Sequence, residues 1–395
     1  MKKFNKFLSV ALASAMVMAM AGCGNTDNGS AATGTNAATE SAASGSVFKI
    51  GGIGPTTGGA AVYGLAVQHG AEIAVEEINA AGGINGYQIE FKFQDDEADA
   101  EKSVNAYNAL KDWGAQIIDG STTSGACIAV TDKTKEDNMF QITPSGSAVE
   151  CVQYDNNFRV CFSNPNQGLA SAQYIGENGL AEKIAVIYDS SDVYSSGIYE
   201  KFVKEAENQP FEVVAAEAFT ADNKTDFSVQ LQKAKDAGAD MVFLPIYYQE
   251  SALILTQAAA MGYAPKWFSC DGMDGILGGV DNFDVSLTEG VMLLTPFAAD
   301  ATDDLTQSFV TKYKEKYGET PNQFAADSYD AIYVIKAAIE KSGVTPDMSV
   351  SDICDGMKAA MTEITVDGLT GNGMTWTADG EANKAPKAVV IENGA

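Results

Sequence analysis

Short apolar segments alternate with segments of helical periodicity along most of this 395-residue chain. The first apolar segment covers residues 47–53, and the last of the series covers residues 290–294. Strands that alternate with helices of about 10–15 residues predict parallel sheets covered by helices on both faces. The series is too long for a single sheet, and breaks near residues 163–165 and 295–296 divide it. We therefore expect an α/β protein built on two sheets.

Two turns of small hydroxylated residues follow neighbouring strands. Residues 120–127 come after the apolar run 116–118 and open a helical pattern, and residues 143–147 follow the strand 139–142. A helix N-terminus offers unpaired N–H groups and a partial positive charge, which suits an anion. Ser124 can cap its helix or present its hydroxyl to a ligand. We expect the two turns to hold a small carboxylate jointly; the alternative is two ordinary capped helices.

Other strand ends add aromatic and acidic side chains. In open α/β sheets, ligands bind in the crevice at the carboxyl ends of the strands. The turns at these ends offer Tyr63, Ser124, Ser145, Ser147, Tyr194, Tyr247, Tyr248 and Asp271. The hydroxyls suit a carboxylate, Asp271 suits an ammonium group, and tyrosine rings suit a cation or an apolar side chain. Together they predict an α-amino acid site, although Asp271 alone can equally shape a turn and each tyrosine alone can belong to the core or the surface.

The N-terminal region has a pattern typical of an export and anchoring signal. The basic segment 1–6 is followed by the apolar segment 7–20, which is too short to span a bilayer comfortably. Residues 20–23, Met-Ala-Gly-Cys, resemble a bacterial lipobox, which implies cleavage before Cys23 and a lipid on its sulfur; plain secretion is the alternative. Residues 25–45 are rich in Ala, Ser, Thr, Gly and Asn and predict a flexible tether. We therefore expect a signal peptide at 1–22, a lipidated Cys23 with a tether at 23–46, and a membrane-anchored location outside the cytoplasm.

Charge and reactive side chains disfavour several classes of function. The formal charge of −28 disfavours nucleic acid, which requires clustered Lys and Arg. The single histidine, His69, and the lack of any CxxC pair leave little for zinc sites or for Cys–His or Ser–His catalysis. Five cysteines remain beside Cys23, and two of them, Cys151 and Cys161, flank a turn-rich segment and could pair.

Two further stretches have the composition of ion sites. The glycine-rich residues 51–64 lack GK[ST] and GxGxxG spacing, and Pro55 removes an N–H group, which disfavours phosphate binding. Residues 95–99, Asp-Asp-Glu-Ala-Asp, lack the glycine and the distal glutamate of a calcium hand. We expect Asp99 to cap a helix at 100–113 instead, and we expect no metal and no cofactor.

From Val47 onward the chain resembles the amino-acid-binding members of the periplasmic-binding-protein type I family. The nearest pattern is that of the leucine/isoleucine/valine-binding receptors of ABC transporters. The stretches that carry the resemblance are residues 58–64, 78–86, 121–124, 142–145 and 226–228. The resemblance implies two doubly wound parallel-sheet lobes joined by three hinge crossovers. Lobe 1 would be 47–164 plus 296–370, and lobe 2 would be 165–295 plus 371–395.

The resemblance also implies roles for individual residues. Ser124, Ser145 and Ser147 match positions that contact the ligand carboxylate, and Asp271 matches the position that holds the ammonium group. The side-chain pocket is matched by Tyr63, Tyr194, Tyr247 and Phe324. Ser145 and Gly146 stand where the branched-chain pattern has alanine, and Asp271 stands where it has glutamate. These departures leave a smaller, more polar or differently shaped amino acid open as the ligand.

We therefore expect a monomeric, membrane-tethered receptor that captures an amino acid and delivers it to an ABC permease without covalent chemistry. Two alternatives stay open. One is a sensory receptor of the same fold, and the other is a surface hydrolase that uses Ser124 and Asp271. The hydrolase lacks a general base, because His69 lies in a predicted helix away from the strand-end turns.

Overall fold

The computed structural model describes residues 45–394. The predicted signal peptide, Cys23 and most of the predicted tether lie outside these described residues. Within 45–394, no helix combines the length and the apolar character that a bilayer span requires.

The N-terminal half of the described chain builds a five-stranded parallel sheet with the strand order β2-β1-β3-β4-β5. Its strands are β1 (Val47–Gly54), β2 (Gln88–Asp95), β3 (Ile117–Asp119), β4 (Phe140–Thr143) and β5 (Asn157–Arg159). The connecting helices are α1 (Ala61–Ala80), α2 (Ala100–Trp113) and α3 (Ser124–Asp137). Strands β3 and β4 are buried along their whole length, as expected for the centre of a sheet covered on both faces.

A second sheet of six strands has the order β11-β10-β9-β8-β6-β7. Its strands are β6 (Lys183–Asp189), β7 (Glu212–Phe219), β8 (Met241–Leu244), β9 (Lys266–Ser269), β10 (Met292–Thr295) and β11 (Lys387–Val390). Helix α4 (Asn164–Glu177) precedes β6, and the helices between these strands are α5 (Val193–Ala206), α6 (Ser228–Asp236) and α7 (Tyr248–Ala260). The predicted α/β fold with two sheets is confirmed, with one difference at β11.

Strand β11 pairs with β10 in the antiparallel sense, whereas all other pairs in the two sheets are parallel. A parallel neighbour of β10 would require a crossover that returns the chain to the same end of the sheet. The chain instead reaches this edge after the helix Val350–Met361 and enters it from the opposite end. The direction of this last strand is therefore set by the route of the chain and not by its apolar pattern.

The chain passes between the two sheets three times. It leaves the first sheet after β5, returns after β10, and crosses again between Met361 and Lys387. Between the second and third passages it forms α8 (Asp304–Tyr317), α9 (Gln323–Ser342) and α10 (Val350–Met361), of which α9 packs against α1 and both α9 and α10 pack against the first sheet.

Close backbone contact joins α1 to α9. A Cβ atom at Gly70 would stand 2.0 Å from the carbonyl oxygen of Ala325, and a Cβ atom at Gly64 would stand 2.0 Å from the carbonyl oxygen of Pro55. Neither distance admits a side chain, so both glycines are required by packing. After the glycine-rich residues 51–64 the sequence predicts a helix only from about Leu65, whereas α1 begins at Ala61, and its first turn approaches the loop that follows β1.

The acidic stretch 95–99 folds as a turn and a helix cap. The carboxylate of Asp99 accepts a hydrogen bond from the N–H group of Lys102 at 2.9 Å, which confirms the predicted cap of α2. The carboxylate of Asp95 accepts one from the N–H group of Thr56 at 2.9 Å and so fastens the loop after β1. These bonds give Asp95 and Asp99 structural roles in the turn and in the helix cap.

Candidate functional site

The turn between β3 and α3 and the turn after β4 are joined by buried hydrogen bonds. The Ser124 hydroxyl oxygen accepts the N–H groups of Ser147 and Ala148, each at 3.1 Å. The Ser145 hydroxyl donates to the carbonyl oxygen of Thr122 at 2.7 Å. Both predicted turns therefore form one rigid shelf at the carboxyl ends of β3 and β4, and we call residues 122–124 and 145–148 the hydroxyl shelf.

Two hydroxyls of the hydroxyl shelf are buried without a hydrogen-bond partner among residues 45–394. They are Thr123 Oγ1 and Ser147 Oγ. Thr123 is the N-cap residue of α3, whose first-turn N–H groups have no carbonyl partner within the helix. A buried polar atom without a partner costs free energy, so these hydroxyls and N–H groups can accommodate an acceptor such as a carboxylate.

Asp271 lies opposite, directly after β9, and is 2% exposed. One carboxylate oxygen accepts a hydrogen bond from the Tyr194 hydroxyl at 2.6 Å, and the other accepts one from the Gln167 side-chain amide at 3.0 Å. Burial raises the pKa of Asp271 to about 7, and these two hydrogen bonds only partly offset it. Both donors are neutral, so they orient the carboxylate without neutralising its charge.

Aromatic rings line the space between the hydroxyl shelf and Asp271. The ring of Tyr63 on α1 lies 4.3 Å from the ring of Phe324 and 5.4 Å from the ring of Tyr247, measured between centroids. The ring of Tyr247 stacks on that of Tyr194 at 5.0 Å. Burial raises the pKa of Tyr194 well above its ordinary value, and the neighbouring Asp271 raises it further, so Tyr194 remains a hydrogen-bond donor at neutral pH.

Tyr63 also joins the two halves of the site. Its hydroxyl donates to the carbonyl oxygen of Gly272 and accepts the N–H group of Tyr248 at 3.2 Å. Nearby, the N–H group of Gln323 at the start of α9 donates to Asp274 at 2.8 Å. These contacts hold the first-sheet helices α1 and α9 against the loop that follows β9, and they close the space over the rings.

The cavity between these walls is narrow and partly open, and its atom-free space of about 240 Å³ includes space that is open to solvent. It is lined by Tyr63, Thr122, Thr123, Ser124, Ser145, Tyr194, Tyr247, Asp271, Gly272 and Phe324. The structure thus brings together Ser124, Ser145 and Asp271 with all four residues predicted for the side-chain pocket. Ser147 does not line the cavity, and its N–H group is engaged by Ser124. The roles of these residues toward a ligand stay predictions.

Thr122, Thr123 and Gly272 also line the cavity, although they are not among the site residues predicted from the sequence. A hydroxyl residue immediately before a helix is a recognisable N-cap signal, so Thr123 could have been found beside Ser124. Gly272 contributes backbone to the cavity, and no side-chain pattern marks such a contribution.

A buried ion pair lies next to the cavity, where the third passage meets α9. The ammonium group of Lys384 stands 2.8 Å from a carboxylate oxygen of Asp327, and both side chains are almost fully buried. Lys384 also donates to Thr370, whose N–H group and hydroxyl are held by Asp330 at 2.9 and 2.5 Å. Burial raises the pKa of Asp327 to about 6, and Lys384 opposes that shift. Asp327 lies one helical turn after Phe324, so this pair fixes the part of α9 that faces the cavity.

The five cysteines among the described residues are all buried and free. Cys151 and Cys161, whose pairing the sequence left open, form no disulfide in the structure. Cys127 and Cys151 instead lie together beneath the hydroxyl shelf, in a small cluster with Ala148.

Comparison with known proteins identifies the family to which this architecture belongs. Residues 47–395 match the family model described as periplasmic binding protein. A Leu/Ile/Val-binding protein homologue of Brucella melitensis is 30% identical over 300 residues, which is 75% of this chain and 80% of the relative. The leucine-, isoleucine-, valine-, threonine- and alanine-binding protein of Pseudomonas aeruginosa is 30% identical over 303 residues, 75% of this chain and 79% of the relative.

A solved structure agrees with this result. The branched-chain amino acid transporter substrate-binding protein LivJ of Streptococcus pneumoniae, in complex with isoleucine, superposes with a TM-score of 0.80 at 28% identity. The match covers 88% of this chain and 97% of that protein. The two-sheet fold, the cavity between the sheets and the match along residues 47–395 together show that the chain belongs to the type I periplasmic binding proteins of the Leu/Ile/Val-binding kind.

Proposed function

We propose that this protein is the substrate-binding lipoprotein of an ABC transporter, which binds a branched-chain or similar amino acid between its two lobes and delivers it to the permease. Support for the ligand class comes from the names of the relatives and from the isoleucine complex of the S. pneumoniae protein. Support for the binding mode comes from the cavity of this chain.

The observation that carries the proposal is Asp271, a buried carboxylate whose hydrogen-bond partners in the cavity wall are the neutral donors Tyr194 and Gln167. An ammonium group is the chemistry that would offset this charge, because a buried ion needs a counter-charge and hydrogen bonds. The hydroxyl shelf on the opposite wall offers Thr123 Oγ1 and the N-terminus of α3 to a carboxylate. An α-amino acid carries both groups in one molecule.

The side chain of the ligand would lie among Tyr63, Tyr194, Tyr247 and Phe324. These rings present a mainly apolar surface, which suits an aliphatic side chain.

Capture would proceed by closure of the lobes over the ligand. We propose that residues 47–164 plus 296–370 move as one body against 165–295 plus 371–395, about the three passages. The Tyr63 hydroxyl, which contacts Gly272 and Tyr248 across the cleft, stabilises the closed form. A ligand that contacts both lobes would shift the population toward closure, and the closed surface would be recognised by the permease.

Anchoring would depend on Cys23, which lies outside the described residues. A diacylglyceryl group on its sulfur, with the tether to residue 46, would hold the protein at the outer face of the cytoplasmic membrane or in the periplasm. Mass spectrometry of the N-terminus tests this part: a lipid-modified Cys23 supports it, and a Cys23→Ser protein that stays fixed to cells contradicts it.

A thermal-shift screen over the twenty amino acids, followed by calorimetry, tests the ligand. A ligand at 100 times its dissociation constant should stabilise the protein by about 2.7 kcal/mol. We expect branched-chain or similar aliphatic amino acids to raise Tm in the wild-type protein, and Asp271→Asn to abolish the shift. No response to any amino acid would contradict the proposed ligand class. Stimulation of the cognate permease ATPase by the loaded protein would then separate transport from sensing.

A further inference from the structure

Two buried cysteines adjoin each other beneath the hydroxyl shelf. Cys127 lies on the first turn of α3, and Cys151 lies in the short helical segment Val149–Val152. They form one buried cluster with Ala148, and their side chains are 0% and 1% exposed. The Cys151 thiol donates to the carbonyl oxygen of Ser124 at 3.7 Å, in the same first turn of α3 that carries Cys127.

We propose that Cys127 and Cys151 are a disulfide-forming pair and that their oxidation weakens ligand binding by displacing the hydroxyl shelf. The second half of this inference rests on the proposed function. The first half stands on the position of both side chains in one buried cluster of three residues. Among the described cysteines, the other three share no cluster with this pair: Cys270 packs under the second sheet, Cys354 packs in the core around α10, and Cys161 belongs to none of the buried apolar clusters.

The chemistry requires an oxidant, for which a low-molecular-weight disulfide such as oxidised glutathione suffices. The Cys127 thiolate attacks one sulfur of the oxidant, and the first glutathione leaves as a thiolate that takes up the proton lost by Cys127. Cys151 then loses its proton and attacks the Cys127 sulfur of the mixed disulfide, and the second glutathione leaves with that proton. Two protein thiols are thereby oxidised to one disulfide, and one glutathione disulfide is reduced to two thiols.

The surroundings favour Cys127 as the attacking group. The neighbouring Cys151 thiol lowers the pKa of Cys127, and the positive charge of the buried Arg159 lowers it further. The oxidant would reach Cys127 when the segment packed against it opens, because that segment is one helical turn at the surface with Val149 49% exposed. Local opening of such a short segment requires less free energy than global unfolding.

Oxidation would reach the cavity through Ser124. A disulfide has no S–H group, so the hydrogen bond from Cys151 to the Ser124 carbonyl oxygen would be lost. The sulfur atoms would also have to approach to about 2.05 Å, which draws residues 149–152 toward α3. The N–H groups of Ser147 and Ala148 are held by the Ser124 hydroxyl at 3.1 Å, so they would move with this segment. We expect the oxidised protein to bind its amino acid at least threefold more weakly.

Thiol counting with peptide mapping tests the pair. The full protein is incubated with oxidised glutathione, the remaining thiols are alkylated in denaturant, and the linked peptides are identified by mass spectrometry. We expect two of the five thiols at 127, 151, 161, 270 and 354 to disappear, with one Cys127–Cys151 linked peptide. Five remaining thiols, a Cys151–Cys161 link, or glutathione adducts alone would each overturn the proposal.

Single variants sharpen this test. Cys127→Ala and Cys151→Ala should each prevent the loss of two thiols, whereas the control Cys161→Ala should still lose two. Because mapping of the wild-type protein needs no variant, the test survives a variant that fails to fold. A linked peptide in Cys127→Ala would also overturn the assignment.

Calorimetry on the reduced protein, the oxidised protein and the oxidised protein after re-reduction tests the consequence. We expect the dissociation constant to rise at least threefold on oxidation and to return on reduction. A disulfide that forms with a smaller change overturns the coupling and leaves the proposed function intact. If neither form binds any amino acid, the proposed function fails while the disulfide mapping still stands.

Discussion

The two walls of the cavity are built in different ways. The hydroxyl shelf of the first sheet is neutral, and most of its polar atoms are already engaged within that wall, as with Ser124 and Ser145. The wall from the second sheet concentrates an ionisable group, Asp271, whose pKa burial raises to about 7. From this difference we expect the second wall to supply most of the binding free energy and its pH dependence, and the first wall to fix the orientation of the ligand.

The largest effect is expected at the charged wall. Asp271→Asn should weaken amino acid binding by about 3–5 kcal/mol, because the ligand ammonium would be desolvated without a counter-charge. Calorimetry measures the loss. Asp119→Asn is the matched control, because Asp119 is another buried carboxyl with a pKa raised to about 7 but does not line the cavity. If Asp271→Asn weakens binding by less than tenfold, the second wall does not supply most of the binding free energy.

The pH dependence should separate stability from binding. The pKa of Asp271 is about 7 in the folded protein and 3.8 as its ordinary value, so the folded state binds more protons between these values. The contribution of Asp271 to the free energy of unfolding is therefore fully present below about pH 4 and is lost as the pH rises to about 7. Ligand affinity runs in the opposite direction, because the ammonium group requires the ionised carboxylate.

We expect affinity to fall by up to about tenfold for each pH unit below 7, since one proton competes with the ligand. Calorimetry and chemical denaturation between pH 4 and 8 measure both trends. Other buried acids, such as Asp327 and Asp274, also have raised pKa values, so the difference between wild type and Asp271→Asn isolates this group. An affinity that is equal at pH 5 and pH 8 would remove Asp271 from the ligand contacts.

A smaller effect is expected where the two walls meet. Tyr63→Phe keeps the ring but removes the hydroxyl that contacts Gly272 and Tyr248. We expect the binding free energy to become about 1 kcal/mol less favourable, because the closed form loses these hydrogen bonds while the ring contacts remain. Small-angle scattering should show a larger open fraction at a fixed ligand concentration. Tyr313→Phe removes a buried hydroxyl remote from the cavity and should change neither quantity.

The sequence predicted those parts of the fold that depend on local signals. Helix α2 has the predicted bounds because Asp99 caps its start and Gly114 adopts the left-handed conformation at its end, with φ at 93°. The early start of α1 could not be predicted in the same way. Glycine-rich residues have low helix propensity, and the helix forms there because Gly64 permits contact with Pro55.

The site, like the fold, could be predicted from the sequence only in part. The strand-end rule placed Ser124, Tyr63 and Asp271 at one crevice, because it depends only on the order of strands and helices. The ion pair of Lys384 with Asp327 joins residues that are 57 positions apart, and no pattern near either residue indicates it. Which hydroxyl of a turn faces the cavity depends on the backbone path through that turn. Thr123 lines the cavity, and Ser147 does not.

The smallest expected effects compare those two hydroxyls within the neutral wall. Thr123 Oγ1 and Ser147 Oγ are both buried without a partner among the described residues, but only Thr123 lines the cavity. Thr123→Val should weaken binding by about 1 kcal/mol, because the ligand carboxylate loses one neutral hydrogen bond. Ser147→Ala should change affinity less than threefold and leave Tm unchanged or higher, because it removes a buried hydroxyl that no protein group satisfies. If Ser147→Ala weakens binding more than Thr123→Val, Ser147 contacts the ligand as the family resemblance implies, and the hydroxyl shelf must present a different face when the ligand is bound.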